Sequence, residues 1–146
     1  MPNVVLDSTI LVSAFLTKKG LAAQLLEQAV RGAFDLYLCE GILQETQQVL
    51  LEREHLRTRY RYTDEEVQEF CTLLRGFAHV PAALPSLAGI SRDPNDDMVI
   101  ACALAAGAHY LIARDEDLLT LGTYQQVTIL LPEAFIRIIR EQARKR

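Results

Sequence analysis

The stretch Asp96-Asp97-Met98-Val99-Ile100-Ala101-Cys102-Ala103-Leu104-Ala105-Ala106-Gly107-Ala108-His109-Tyr110-Leu111-Ile112 decides the fold. Its first eleven residues are rich in alanine and read as a small-residue helix that can pack closely on a sheet. Gly107 then supplies a helix stop. Tyr110-Leu111-Ile112 is a short, continuous apolar run and reads as a buried strand. A helix followed at once by a buried strand is the repeating half of a parallel α/β sheet.

Outward from this unit the same alternation recurs. Val4-Val5-Leu6 is a β-branched run, read as the first strand, and Ile10 to Phe15 starts a helix. Gly20 breaks it, and Leu21 to Val30 forms a second helix that stops at Gly32. Leu36-Tyr37-Leu38 is a second strand, and Ile42 to Leu51 a helix. Thr63 with Glu66 forms a capping-box signature, opening a helix to about Arg75. Phe77 to Val80 is expected as a third strand, Pro81 to Ser91 as a loop, and Val127 to Leu131 as a fifth strand. Pro132 suits the first turn of a terminal helix. The expectation is one domain over 1–146, an α/β/α three-layer sandwich on a mostly parallel sheet of four to five strands.

Composition narrows the function. Half the 146 residues are hydrophobic and 23% are charged, which excludes a disordered chain. Fifteen Lys+Arg against nineteen Asp+Glu give a net charge of −4, so a nucleic-acid partner would need a local basic face. Cys39, Cys71 and Cys102 are odd in number with no Cys-x-x-Cys pair, as expected of buried apolar residues in a reducing compartment. The longest apolar run, Met98 to Ala108, is too short to span a bilayer. The N-terminal residues lack the pattern of a signal peptide, so the expected location is the cytoplasm.

The polar residues beside strand ends carry the chemistry, because ligands of open parallel sheets bind beyond the carboxyl ends of strands. Asp7 follows the first strand, and Asp115 and Asp117 follow the Tyr110 strand. Asp93, Asn95, Asp96 and Asp97 open the small-residue helix, and Glu45 lies on the helix after the second strand. Taken singly, Asp7 reads as a helix cap, Asp96 and Asp97 as first-turn acids, and Asp117 as the cap of a short helical turn. Together, carboxylates brought this close repel one another unless a cation lies among them. An all-oxygen ligand set suits Mg²⁺ or Mn²⁺ and metal-assisted phosphodiester hydrolysis. Asp93-x-Asn95-x-Asp97 does not continue as a calcium loop, since Met98 stands where glycine is needed and Leu104 where glutamate is. A phosphatase Asp-x-Asp is also absent, with Thr9 in the second position.

The chain resembles the PIN-domain family, in particular the toxin components of prokaryotic toxin–antitoxin systems. The resemblance lies in Val4-Val5-Leu6-Asp7-Ser8-Thr9, Glu40 to Leu50, Arg92-Asp93-Pro94-Asn95-Asp96-Asp97-Met98 with Ala101, Tyr110 to Leu119, and Ile129 to Phe135. It implies a metal-dependent endoribonuclease that leaves 5′-phosphate and 3′-hydroxyl ends. By resemblance the catalytic acids are Asp7, Glu45, Asp97 and Asp115. Asp7, Asp97 and Asp115 would ligate Mg²⁺ or Mn²⁺, with Thr9, Asp96 and Asp117 in support. Asp97 is preferred over Asp96 because Ala101 follows it by four residues. The chain departs from the family at Thr9, where asparagine is usual, at Ala113, where a hydroxyl residue is frequent, and at Cys39, where serine is common. The alternative is a PIN-fold module of weak or absent activity that binds RNA or an antitoxin protein.

Basic residues should flank an acidic site that receives a polyanion. Arg114, next to Asp115, is the favoured phosphate contact, followed by Arg92, the Arg53–Tyr62 stretch and the tail Arg137, Arg140, Arg144, Lys145 and Arg146. Arg53, Arg57 and Arg61 would share one helical face if the helix extends that far, with Tyr60 and Tyr62 as base-stacking candidates. The resemblance implies RNA, an antitoxin protein and a second copy of the chain as partners, and no membrane is expected.

Overall fold

The computed structural model describes residues 1–145; Arg146 lies outside the described residues. Five strands form one sheet: β1 (Asn3–Leu6), β2 (Asp35–Tyr37), β3 (Tyr110–Ile112), β4 (Thr123–Tyr124) and β5 (Val127–Leu130). Their order is β2-β1-β3-β5-β4, parallel throughout except for β4, which pairs antiparallel with β5. Val4, Val5 and Leu6 of β1 are all fully buried. Successive side chains of a strand point to opposite faces, so helices must cover both sides of the sheet.

Among the described residues there are eight helices, several of which provide that cover: α1 (Ser8–Leu16), α2 (Leu21–Val30), α3 (Glu40–Glu52), α4 (Glu54–Tyr60), α5 (Asp64–Phe77), α6 (Pro94–Ala105), α7 (Glu116–Leu121) and α8 (Pro132–Arg144). The small side chains of α6 let it lie against β1 and β3, with Ala101, Cys102 and Ala103 buried. Its N-terminus follows from local chemistry: Asp93 accepts the Asn95 N–H at 2.9 Å, and Pro94 occupies the first turn. Thr63 and Glu66 form the expected capping box at the start of α5. All three cysteines are buried and free. Among the described residues no single helix is long and apolar enough to cross a membrane.

Three expectations are corrected. Phe77 to Val80 is not a strand: Phe77 ends α5, and only His79 pairs, bridging Tyr37. Pro81, which has no N–H to donate, follows too soon for a ladder to extend. Arg53, Arg57 and Arg61 do not share one face. The helical run breaks at Arg53, and Arg61 adopts a left-handed backbone with φ of 49°. Tyr62 is no base-stacking platform. It is buried in a small second core with Val12, Leu50, Val67 and Cys71, donates its hydroxyl to the Leu50 carbonyl at 2.6 Å, and meets Phe15 edge-on.

Candidate metal centre

The strand ladder sets the position of the first acid. Leu6 stands level with Ile112 in the β1–β3 register, and Asp7 donates its N–H to the Ile112 carbonyl at 3.0 Å. Asp7 therefore emerges at the carboxyl end of the sheet, where it also caps α1 by accepting the Ser8 N–H at 2.8 Å. Cap and candidate ligand are the same carboxylate. Asp115 emerges beyond the adjacent strand, β3, and caps α7, accepting the Leu118 N–H at 3.1 Å. It is Asp115, and not Asp117, that caps the short helix; Asp117 lies in its first turn.

The carboxylates of Asp96, Asp115 and Asp117 offer oxygens that all lie within 4.8 Å of one another. Asp96 enters from the first turn of α6 and is steadied by the Ser91 hydroxyl at 3.3 Å. Its neighbour Asp97, equally buried, accepts the backbone N–H groups of Ser91 at 2.7 Å and Gly89 at 3.1 Å. The structure thus brings Asp96 to the other acids and engages Asp97 with the preceding loop. Adjacent helical residues point about 100° apart, so one of the pair can face each way. Ser91 and Gly89 carried no sequence signal, because the Pro81–Ser91 stretch has no periodicity. The left-handed backbone of Gly89, φ of 72°, is the one local hint of its turn.

Burial and like charge define the electrostatics. Burial pushes the Asp7 carboxyl up to about 6, and the charges of Glu45 and Asp115 push the same way. Asp96 is raised to about 7, first by burial and then by Asp115, Asp93 and Asp7. Glu45 is half-buried on α3, at the edge of this group. Hard oxygen donors crowded until they resist ionisation fit a divalent cation such as Mg²⁺ or Mn²⁺. Thr9 is exposed in the first turn of α1. Ala113 is fully buried, and its N–H donates to the Leu130 carbonyl at 3.0 Å.

The two favoured basic residues differ. Arg114 forms a fork with both oxygens of Glu133, at 3.1 and 2.8 Å, which holds the Glu133 carboxyl below its usual range. Arg92 is exposed in the loop before α6. Arg57 is engaged by Asp64 at 2.5 Å.

Comparison with known proteins agrees with this fold. Residues 3–117 match the PIN domain, and the chain belongs to the PIN-domain family. No curated protein matches the sequence. Among solved structures, a chain from the crystal structure of VapBC2 from Rickettsia felis, bound to a DNA fragment from their promoter, has a similar fold. The TM-score is 0.57 at 12% identity, over 87% of this chain and 96% of that one.

Proposed function

We propose that the protein is a Mg²⁺- or Mn²⁺-dependent endoribonuclease, acting as the toxin of a toxin–antitoxin pair. The observation that carries the nuclease reading is the meeting of Asp96, Asp115 and Asp117, with the charge of Asp7 acting on Asp96 from the end of β1 and both Asp7 and Asp96 held well above their ordinary ionisation range. Membership of the PIN-domain family and the fold shared with a chain of VapBC2 support the toxin reading and an antitoxin protein as partner.

In this reading Asp7, Asp96 and Asp115 hold the cation, Asp117 supports them, and Asp97 anchors the loop that positions Asp96. A bound ion would supply positive charge that lets the acids ionise together and would offset charge on the scissile phosphate. Asp7 and Asp115 are pre-oriented by the N–H groups they cap, so little reorganisation accompanies substrate binding. Glu45 faces the group from α3 and takes the proton of the attacking water. The water oxygen bonds to phosphorus, the P–O3′ bond breaks with its electron pair passing to O3′, and O3′ takes a proton from solvent, so the products carry a 5′-phosphate and a 3′-hydroxyl.

Cleavage of a labelled single-stranded RNA tests the reading, with Mg²⁺ or Mn²⁺, with EDTA, and with Asp7→Asn and Asp96→Asn. Metal-dependent cleavage by wild type alone is expected. Equal cleavage by either variant would overturn the assignment. A second reading, a module that binds RNA or an antitoxin without turnover, draws on Ala113, whose methyl offers no hydrogen bond to the site. Folded wild-type protein that binds RNA but never cleaves it would favour that reading.

A further inference from the structure

A groove of about 550 Å³ runs along α3, and its lining includes Glu45, whose charge raises the Asp7 carboxyl, and Asn95, the neighbour of Asp96. That volume falls within the roughly 300–1,000 Å³ of small-ligand sites. Gln44, Gln48 and Glu52 recur every fourth residue, so they form one row on the helix. Asn95 faces them from the first turn of α6, and Val49 and Met98 supply apolar surface between the polar groups. Met98 is held in place from behind. The Cys39 thiol donates to its sulfur at 3.2 Å, and Gly41 leaves it room, since a Cβ there would come within 2.9 Å of that sulfur.

The charge balance says what fits. Glu45 and Glu52 face a single guanidinium, Arg53, so the groove is poorly suited to phosphate. It is well suited to a flat, neutral group with hydrogen-bonding edges. Each of three side-chain amides both donates and accepts, and a thioether packs well against an aromatic ring. Carboxylates accept from exocyclic amino groups, and a glutamine amide matches the donor–acceptor edge of adenine. Uracil, with two carbonyl oxygens, would present acceptors to carboxylates.

We infer that this groove seats one unpaired nucleobase of the RNA next to the scissile phosphate, and that it selects bases carrying an exocyclic amino group over uracil. The inference rests on the ribonuclease reading, because the shared Glu45 is what places the base beside the reacting bond.

The test is equilibrium binding of labelled oligo(rA), oligo(rC) and oligo(rU) hexanucleotides to the full chain. Asp7→Asn serves as background so that nothing is cleaved. Oligo(rA) and oligo(rC) are expected to bind about tenfold tighter than oligo(rU), the discrimination typical of one well-made base contact. Gln48→Ala and Glu52→Gln, both at exposed positions, should each bring the ratio to within about twofold. Equal binding of all three by the parent protein overturns the inference, as does a ratio unchanged in both variants. Base-selective binding by a wild type that cleaves nothing would sink the ribonuclease reading alone. Metal-dependent cleavage without base selection would sink only the groove.

Discussion

The Ser91 N–H donates to Asp97 Oδ1 at 2.7 Å, while the hydroxyl of the same Ser91 reaches Asp96 at 3.3 Å. One loop residue therefore serves two consecutive acids in different ways. Removing a buried, charged acceptor leaves its donors unpaired, so Asp97→Ala should lose roughly 2–3 kcal/mol of stability. Faster amide exchange at Gly89 and Ser91 should accompany the loss. Asp96→Asn should abolish cleavage without that loss. Denaturation and hydrogen exchange on the two variants check the division of labour, and it fails if both behave alike.

The raised carboxyls make stability depend on pH. Asp7 at about 6 and Asp96 at about 7 hold protons in the folded protein that the unfolded chain, near 3.8, has released. In metal-free protein their contribution is fully present below about pH 4 and is lost as pH rises through about 6 for Asp7 and about 7 for Asp96. For Asp7 the swing is of the order of 3 kcal/mol. Asp7→Asn keeps the cap and removes the charge, so in EDTA at pH 8 it should melt above wild type. Thermal melts at pH 5 and pH 8 decide this; a lower melting temperature for the variant at pH 8 would refute it.

Added Mg²⁺ or Mn²⁺ should stabilise wild type at pH 8 far more than at pH 5, because binding must expel the protons on Asp7 and Asp96. Calorimetry in buffers of different ionisation enthalpy should register proton release near pH 6. A metal effect equal at both pH values would place the ion elsewhere.

Arg114 is the favoured phosphate contact, yet Glu133 occupies its guanidinium. Both side chains are about half exposed, so breaking the pair should change stability by less than about 1 kcal/mol. Glu133→Gln should release Arg114 and tighten RNA binding severalfold at low salt, with the gain fading as salt rises. Unchanged affinity in Glu133→Gln would show that Arg114 does not meet the phosphate.

Gly41→Ala brings a methyl against the Met98 sulfur. Overpacking of this kind destabilises by roughly 1–3 kcal/mol unless the neighbour yields. Met98 lines the groove, so a shift of its side chain into that space should also weaken RNA binding. A crystal structure of the variant with Met98 unmoved would refute the argument.

Much of this was legible in the residues. Val4-Val5-Leu6 and Tyr110-Leu111-Ile112 read as buried strands, and the acids beyond them as a candidate site. What stayed hidden depended on contacts distant in sequence. Nothing in the order Asp96-Asp97 says which carboxylate a loop will claim, since the claimants, Gly89 and Ser91, lie in an aperiodic stretch. Tyr62 looked available because its charged neighbours are exposed, but Phe15 and the Leu50 carbonyl draw it inside. The two-residue β4 is too short to produce any alternation.

The isolated bridge at His79 has a wider consequence. It takes up the Leu36 carbonyl and the Leu38 N–H along the outer side of β2. At the other margin of the sheet, β4 is two residues long and folds back on β5. Long, bare margins invite strand addition and edge-to-edge aggregation. Here neither margin offers a stranger a run of free backbone to zip onto. Capture or polymerisation by strand pairing finds little to hold at these two margins.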